Sequence, residues 1–268
     1  VGSGGVWKTN NSGTTWKAIF ENQKVYSTGC ITIDPNNPST IWLGTGENVG
    51  GRHAGFGDGI YVSHNDGKSW KNMGLENSEH LSKIIVHPEN SDVIWVASQG
   101  PLWSKGGDRG VYKTINGGKT WNRTLGDSEW IGATDLLIDP SNPDVLYAAT
   151  WQRHRTVAGY LGGGPGSGLH KSIDGGETWK ALKNGIPTSN LGKIGLAMSP
   201  FNSNVIYAAI ELDRTKGGFF MSSNGGQTWV KQSDAVAGGT GPHYYQEIIA
   251  SPHHEGTIYF MNNSALES

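Results

Sequence analysis

Carboxylate side chains recur in the segments between the strand-like stretches of this chain. Hydrolysis of a glycosidic bond needs two such groups on either side of the bond, about 5 Å or about 6.5 to 9.5 Å apart. The candidates are Glu47, Glu79, Glu129, Asp135, Glu211 and Asp213. We predict that Glu47, Glu79 and Asp135 are catalytic, while a surface or turn carboxylate is the competing interpretation for each.

Aromatic and basic residues accompany these carboxylates. An indole ring can stack on a sugar ring while neighbouring polar groups bind its hydroxyls. Three of the eleven tryptophans, Trp103, Trp130 and Trp151, lie outside strands and outside the repeated motif described below. The predicted substrate-binding residues are Arg52, His53, His80, Trp103, Trp130, Trp151, Arg153, Tyr160, Tyr244 and Tyr245. The alternative is that the aromatic rings only fill the mouth of a central channel.

One eight-residue motif occurs five times and organises the chain. It reads Ser or Thr, x, Asn or Asp, x, Gly, x, Ser or Thr, Trp, and its copies are TNNSGTTW (9–16), SHNDGKSW (63–70), TINGGKTW (114–121), SIDGGETW (172–179) and SSNGGQTW (222–229). The closing tryptophans are 54, 51, 58 and 50 residues apart. This period is typical of propeller blades or solenoid units. Identical motifs in every repeat favour a structural turn over a ligand site.

A second turn keeps step with the motif, with copies at 33–38, 86–91, 138–143, 198–203 and 250–255. An apolar run precedes each turn and a β-branched or aromatic run follows it. A glycine-led strand then enters the motif, whose asparagine or aspartate bonds backbone amides and whose glycine takes a positive φ. The sequence therefore predicts an all-β propeller of four-stranded antiparallel blades, with the motif between strands C and D and about five blades covered. Its tryptophan is predicted to pack into the blade.

The loops divide between two faces of such a propeller. The A/B and C/D turns share one face, and the B/C loops and the D/A links between blades share the other. Length variation is concentrated in the B/C loops, which usually marks the binding face of a repeat protein. The B/C loops are 46–58, 98–109, 151–167 and 211–217, and the D/A links are 75–82, 126–135, 184–192 and 238–246. We call the surface that they form the loop face.

Composition excludes several classes of function. The net charge is −2 with no long run of like charge, which excludes the electrostatic footprint of a nucleic-acid binder. The sequence has no run of about 18 apolar residues, the length that a membrane-spanning helix needs. The single cysteine, Cys30, cannot form an internal disulfide and is predicted to be a buried structural thiol. We predict no metal, because the adjacent His253 and His254 lack further ligands. We also predict no cofactor, and the glycine run at 162–168 lacks the Gly-Lys-Ser/Thr end of a phosphate-binding loop.

The repeated motifs resemble the Asp boxes of the BNR/Asp-box propeller superfamily, together with the DPxNP turns at Asp34–Pro38 and Asp139–Pro143. The segments at 4–9, 44–47, 78–80 and 162–172 are most similar to bacterial exported proteins related to sortilin (Vps10-type) propellers, often labelled BNR-repeat glycosyl hydrolases. The chain also resembles xyloglucan-active propeller glycosidases. The resemblance implies an extracytoplasmic protein that acts on glycans or binds polypeptide ligands. The Arg-Ile-Pro signature of sialidases is absent.

Two functions from different classes follow. The first is a glycoside hydrolase-like propeller that acts on or binds a polysaccharide or oligosaccharide at the loop face. The alternative is a non-catalytic sortilin-like propeller that holds a peptide or protein ligand. The predicted blades span approximately 31–75, 81–125, 132–183, 192–233 and 246–268, within a single domain covering 1–268. We expect a fragment whose remaining blades lie elsewhere in a longer chain, or else a ring in which residues 1–20 complete the last blade.

Overall fold

The computed structural model describes residues 4–212, 217–234 and 246–261, and the backbone of 265–267. Asp213, Tyr244 and Tyr245, three of the predicted site candidates, lie outside the described residues. The strands are β1 (Trp7–Lys8), β2 (Lys17–Ala18), β3 (Thr28–Asp34), β4 (Asn37–Thr45), β5 (Ile60–Ser63), β6 (Lys71–Asn72), β7 (Leu81–His87), β8 (Asn90–Ser98), β9 (Gly110–Thr114), β10 (Asn122–Leu125), β11 (Ile131–Asp139), β12 (Asn142–Gln152), β13 (His154–Arg155), β14 (Tyr160–Leu161), β15 (Gly168–Ser172), β16 (Lys180–Leu182), β17 (Ile194–Met198), β18 (Ile206–Ile210), β19 (Gly218–Ser222), β20 (Val230–Ser233), β21 (Glu247–Ala250), β22 (Ile258–Met261) and β23 (Ala265–Glu267).

Four antiparallel sheets of four strands each confirm the predicted blades. Their strand orders are β3-β4-β5-β6, β7-β8-β9-β10, β11-β12-β15-β16 and β17-β18-β19-β20, which we number blades 1 to 4. The strands β21, β22 and β23 form a three-stranded fifth sheet, and the hairpins β1-β2 and β13-β14 are separate. One expectation was that residues 1–20 complete the last blade. In the structure, the third strand of the fifth sheet is β23 instead. The exact blade boundaries stay a prediction.

The Asp box joins strands C and D through its own side chains, as predicted. In blade 3 the Ser172 hydroxyl accepts a hydrogen bond from the amide of Gly176 at 2.8 Å, and Asp174 Oδ1 accepts one from the amide of Thr178 at 2.9 Å. Gly176 has a φ of 81°, a conformation that favours glycine. The amide of Gly175 also bonds the carbonyl of Asp144, directly after the A/B turn, at 2.9 Å, so both turns lie on one face.

Three of the five box tryptophans bond the preceding unit, which differs from the prediction that each packs into its own blade. The indole N–H of Trp70 donates to the carbonyl of Ile19, and that of Trp121 donates to the carbonyl of Met73. Trp179 Nε1 likewise bonds the hydroxyl of Thr124 on the outer strand of blade 2. Each of these rings therefore joins its blade to the preceding unit. Sequence periodicity cannot distinguish contacts within a repeat from contacts between repeats.

The innermost strands are joined by a second set of polar contacts. The hydroxyl of Thr32 in blade 1 donates to the carbonyl of Ile84 in blade 2 at 2.8 Å. Ser82 Oγ bonds the carbonyl of Ala133 at 3.0 Å, and Thr134 Oγ1 bonds that of Ile194 at 2.8 Å. Consecutive blades are therefore neighbours around a common axis, lined by their A strands.

Apolar side chains fill the spaces between successive blades. One cluster combines Trp42 and Val62 of blade 1 with Ile84 and Val96 of blade 2. Cys30 packs against this cluster, and burial raises the pKa of its thiol to about 12, as suits a structural cysteine. Within the described part of the chain, no helix is long and apolar enough to cross a membrane.

Candidate functional site

A segment of the blade 1 B/C loop, Glu47–Gly50, crosses the centre of the loop face; we call it the strap. Each of its four carbonyls bonds a basic side chain of another blade. His80 Nδ1 lies 2.9 Å from the carbonyl of Glu47, and the ammonium of Lys193 donates to that of Asn48 at 2.8 Å. Arg153 donates to the Val49 carbonyl at 2.9 Å, and Arg155 to the Gly50 carbonyl at 3.0 Å.

The side chain of Asn48 connects the remaining blades. Its Oδ1 accepts hydrogen bonds from Gln99 in blade 2 and from Lys193 beside blade 4, the latter at 3.1 Å. Its amide donates to Glu247 Oε1 of the fifth sheet at 2.9 Å. Because one short segment contacts residues in or beside blades 2, 3 and 4 and the fifth sheet, it lies near the propeller axis. The strap therefore covers the central channel at the loop face.

Burial strongly lowers the pKa values of the titratable side chains that bond the strap. Burial lowers the pKa of Lys193 to about 7 and that of Arg153 to about 10. It also lowers the pKa of His80 to about 3, so this imidazole is neutral at physiological pH. These side chains hold the loop in place, since their donors already bond the strap's carbonyls.

The predicted catalytic carboxylates lie in three different environments. Glu47 is buried, and its Oε2 accepts a hydrogen bond from the amide of Gly55 at 2.8 Å. Asp135 is also buried; its Oδ2 accepts from the amide of Leu196 at 2.8 Å, which joins blade 3 to blade 4. Glu79 is partly exposed. The structure therefore does not bring the three together as one exposed catalytic group.

Several predicted binding residues also lie inside the scaffold. Trp151 is fully buried, and its indole N–H donates to the carbonyl of Gly162 at 2.9 Å, so its ring is not on the exposed surface that the sequence predicted. Arg153 and His80 are fully buried as well. Arg52 and His53 are exposed on the B/C loop of blade 1. A sequence cannot show these differences, because loop residues become buried only when loops from separate blades meet.

Two of the predicted residues, Trp103 and Tyr160, form a row on the loop face with Arg155, which was not predicted. The guanidinium carbon of Arg155 lies 6.0 Å from the ring centre of Trp103 and 4.2 Å from that of Tyr160. Trp103 is 37 % exposed, so part of its ring is available to a ligand. At the Trp103 end, Glu79 Oε2 accepts a hydrogen bond from the amide of Leu102 at 3.3 Å. We call Trp103, Arg155 and Tyr160 the aromatic row.

A carboxyl group lies at the other end of the row. Tyr160 and Glu211 line an open pocket of about 340 Å³, together with glycines 162, 163 and 192. Burial raises the pKa of Glu211 to about 7, so a large fraction of this carboxyl is protonated at neutral pH. Glu211 was a candidate carboxylate on sequence grounds but was not among the three selected. Its position directly after the buried strand β18 was the available signal.

Trp130 stands apart from this row. Its ring is half-buried and contacts the imidazole of His154, with 4.1 Å between the ring centres, while the guanidinium carbon of Arg109 lies 5.7 Å away.

Among the described residues there is no group of three or more histidine, cysteine, aspartate or glutamate side chains placed to hold a metal ion.

The chain is a β-propeller of the Asp-box class. It has four-stranded blades, Asp boxes between strands C and D, and a strap over the central channel. The model of the Sortilin-Vps10 family, described as "Sortilin, neurotensin receptor 3", matches residues 4–129 and 58–188. These matches cover more than half of the chain, which therefore belongs to this family.

Curated relatives connect the chain to xyloglucanases. It is 25 % identical over 261 residues to a xyloglucanase of a Paenibacillus species, covering 95 % of this chain and 22 % of the relative. It is 29 % identical over 187 residues to a xyloglucanase of Hypocrea jecorina, covering 64 % of this chain and 20 % of the relative. The chain thus spans about a fifth of the length of these relatives.

Solved structures show the same fold. A GH74 enzyme of Niastella koreensis aligns with a TM-score of 0.72 at 18 % identity, covering 97 % of this chain and 40 % of that one. The GH74 xyloglucanase of Xanthomonas campestris aligns with a TM-score of 0.69 at 15 % identity, with 98 % and 40 % coverage. The predicted relation to xyloglucanase-type propellers is thereby confirmed at the level of the fold.

Proposed function

We propose that this chain is part of a carbohydrate-active, glycoside hydrolase-like propeller that binds a polysaccharide or oligosaccharide across the loop face. The observation that carries the proposal is the aromatic row, which leads from the exposed ring of Trp103 to the protonatable carboxyl of Glu211. The curated relatives that match the chain are xyloglucanases, which supports a polysaccharide as the ligand.

The chemistry of the row suits a sugar chain. An indole face packs against the C–H face of a pyranose, and polar groups around it can bind the hydroxyls. The guanidinium of buried Arg155 lies within about 6 Å of both the Trp103 and the Tyr160 ring, close enough for a cation–π contact with each. A rigid platform loses little conformational entropy when the ligand binds.

Glu211 is the residue that we propose as the proton donor. A glycosidase acid must be protonated at the working pH, and a carboxyl with a raised pKa meets that requirement. The proton would pass to the leaving glycosidic oxygen as its bond to the anomeric carbon breaks, and water would supply the hydroxyl of the new reducing end. A second carboxylate would have to lie within about 9.5 Å of the first. Glu79 lies at the opposite, Trp103 end of the row, and we propose that it binds sugar hydroxyls there. Glu47 and Asp135 then have structural roles.

An extracytoplasmic location is part of the same proposal, because the family resemblance and a polysaccharide ligand both favour it. The second candidate function is a propeller that binds a peptide or protein, which the Sortilin-Vps10 match favours. A peptide entering the central channel from the loop face would have to displace the strap and its four basic partners. This contact set favours binding on the loop face over binding inside the channel.

The test is to measure binding and released reducing ends for the chain with neutral plant polysaccharides, including xyloglucan. We expect binding that Trp103→Ala weakens by about tenfold, which corresponds to about 1.4 kcal/mol. The control is Trp16→Ala, because Trp16 is 57 % exposed but closes an Asp box on the opposite face. Equal losses in the two variants would contradict a site on the loop face.

Hydrolysis is tested with Glu211→Gln, and the role of Glu79 in binding is tested with Glu79→Gln, which should weaken sugar binding. If Glu211 donates the proton, its amide variant keeps binding but loses turnover, and wild-type turnover falls as the pH rises through about 7, because the protonated fraction decreases. Glu177→Gln, which alters an exposed Asp-box carboxylate, is the control. Binding without released ends would limit the function to glycan recognition, and peptide binding without glycan binding would favour the second candidate.

A further inference from the structure

A second, larger pocket lies behind the glycine-rich part of the blade 3 B/C loop. Its volume is about 560 Å³, within the range of about 300 to 1,000 Å³ that is typical of small-ligand sites. It is bounded by residues 164–170, by the end of blade 2 at 125–127, and by the D/A link at 186–191. None of the residues selected as site candidates from the sequence lines it, and the proposed function does not use it.

A glycine ridge separates this pocket from the one that contains Glu211. The ridge is an isolated β-bridge between Gly164 and Leu191, in which the amide of Gly164 donates to the Leu191 carbonyl at 3.1 Å. Glycines 162 and 163 line the smaller pocket and Gly164 lines the larger one. Asn190 lines both, so a ligand that crosses the ridge would remain in contact with this residue.

On one side the ridge consists of glycines, which have no side chains. A Cβ atom on Gly163 would come within 2.5 Å of the Leu191 carbonyl oxygen, and one on Gly164 within 2.6 Å of the Gln152 side chain. The backbone contact requires glycine at position 163, whereas a side chain at position 164 would have to displace that of Gln152. The glycines leave backbone atoms at the surface between the two pockets.

The lining of the larger pocket suits an uncharged ligand with both apolar and hydroxyl-bearing surfaces. Leu182 and Ile186 contribute aliphatic surface, while Thr188, Ser189 and Asn190 present exposed hydroxyl and amide groups. The charged lining residues, Asp127 and Lys183, are exposed and opposite in sign. A sugar ring combines C–H faces with hydroxyls, and it therefore matches this lining.

The side chain of His170 forms an uncharged part of the pocket lining. Burial lowers the pKa of its imidazole to about 4, so it carries no charge at neutral pH. An anionic ligand would find neither a cationic histidine nor an excess of positive charge among the lining residues.

We propose that the larger pocket is a second sugar-binding site, which takes one or two uncharged sugar units of a glycan that crosses the glycine ridge from the Glu211 pocket. The inference rests on the proposed function, because it requires the same glycan in the aromatic row. It adds that the chain distinguishes oligosaccharides by length, since only a ligand long enough to cross the ridge reaches both pockets.

Gly168 offers a way to fill the pocket without strain. It lies in the pocket lining at the start of β15, its φ is outside the left-handed region, and an added Cβ would meet the His170 ring at an ordinary contact distance of 3.8 Å. Gly168→Leu therefore places an aliphatic side chain in the pocket. Lys180→Leu is the matched control, because it adds the same side chain to an exposed position of blade 3 that does not line the pocket.

The experiment measures dissociation constants for a series of neutral xyloglucan or β-glucan oligosaccharides of increasing length. For the wild type and Lys180→Leu, we expect affinity to rise by about tenfold once the ligand is long enough to cross the ridge. Gly168→Leu should lose that rise while it binds short oligosaccharides like the wild type. Trp103→Ala should weaken binding at every length.

The outcomes separate the two proposals. If the wild type shows a length-dependent gain that Gly168→Leu retains, the second site is refuted and the proposed function stands. If the wild type binds short and long ligands with equal affinity, the second site is also refuted. If no oligosaccharide binds the wild type at any length, both proposals fail. Thermal unfolding of Gly168→Leu at the wild-type temperature verifies that a lost gain does not come from misfolding.

Discussion

The Asp-box face and the loop face of this propeller are built in opposite ways. Hydrogen bonds inside each box join residues two to four positions apart, as between Ser172 and Gly176. On the loop face, Arg153 bonds a residue 104 positions away and Asn48 bonds one 199 positions away. One face repeats a local turn, and the other is assembled once from several blades.

This difference separates stability from specificity. A local turn forms wherever its eight residues occur, so every blade carries the same one and none is a unique site. The strap exists only when blades 2 to 4 and the fifth sheet are in place, because its partners lie in or beside them. Long-range contacts of this kind can position a single aromatic row and a single pocket, which repeated turns cannot do.

The largest expected effect comes from removing a strap partner. Arg153→Ala should lower the free energy of unfolding by about 3 to 5 kcal/mol, because it leaves the carbonyls of Val49 and Gly100 without their donor in a buried region. Urea unfolding measures the change. Arg52→Ala, at an exposed position of the same face, should stay within about 0.5 kcal/mol of the wild type. Equal effects of the two substitutions would show that the strap is not a structural centre.

Lys193 gives the strap a dependence on pH. Because its folded pKa of about 7 lies below the unfolded value, the unfolded chain binds more protons between about pH 7 and pH 10.5, and this group's contribution to stability rises with pH over that window. The difference in stability between the wild type and Lys193→Met should therefore increase from pH 7 to pH 10, as followed by urea midpoints. A constant difference would contradict the buried ammonium. Lys180→Met controls for the loss of one charge.

The smallest effect is expected on the Asp-box face. Ser172→Ala removes the acceptor of the Gly176 amide in one box and should cost about 1 to 2 kcal/mol in thermal or urea unfolding. Ser172→Thr should stay within about 0.5 kcal/mol of the wild type, because Thr9 and Thr114 fill this position in other boxes. A loss as large as that of Arg153→Ala would remove the contrast between the two faces.

Much of the fold was predictable because it depends on local patterns. The five boxes and the proline turns marked strands C and D and the A/B turns, and the structure confirms an all-β propeller with those turns on one face. The site was less predictable. The loop face was identified as an expectation from loop length, yet Trp151, which was predicted to be exposed there, is fully buried, and Glu211 was ranked below Glu47 and Asp135.

The amino-acid sequence alone determined the repeat, the strand order within a blade and the turn chemistry, because each depends on residues within a few positions of one another. Only the tertiary structure decided which loop residues are buried, which carboxyl has a raised pKa and which rings face solvent. Burial is set by contacts between distant blades: Glu211 has a raised pKa, and Trp151 lies out of reach of a ligand, because of the neighbours that folding brings to them.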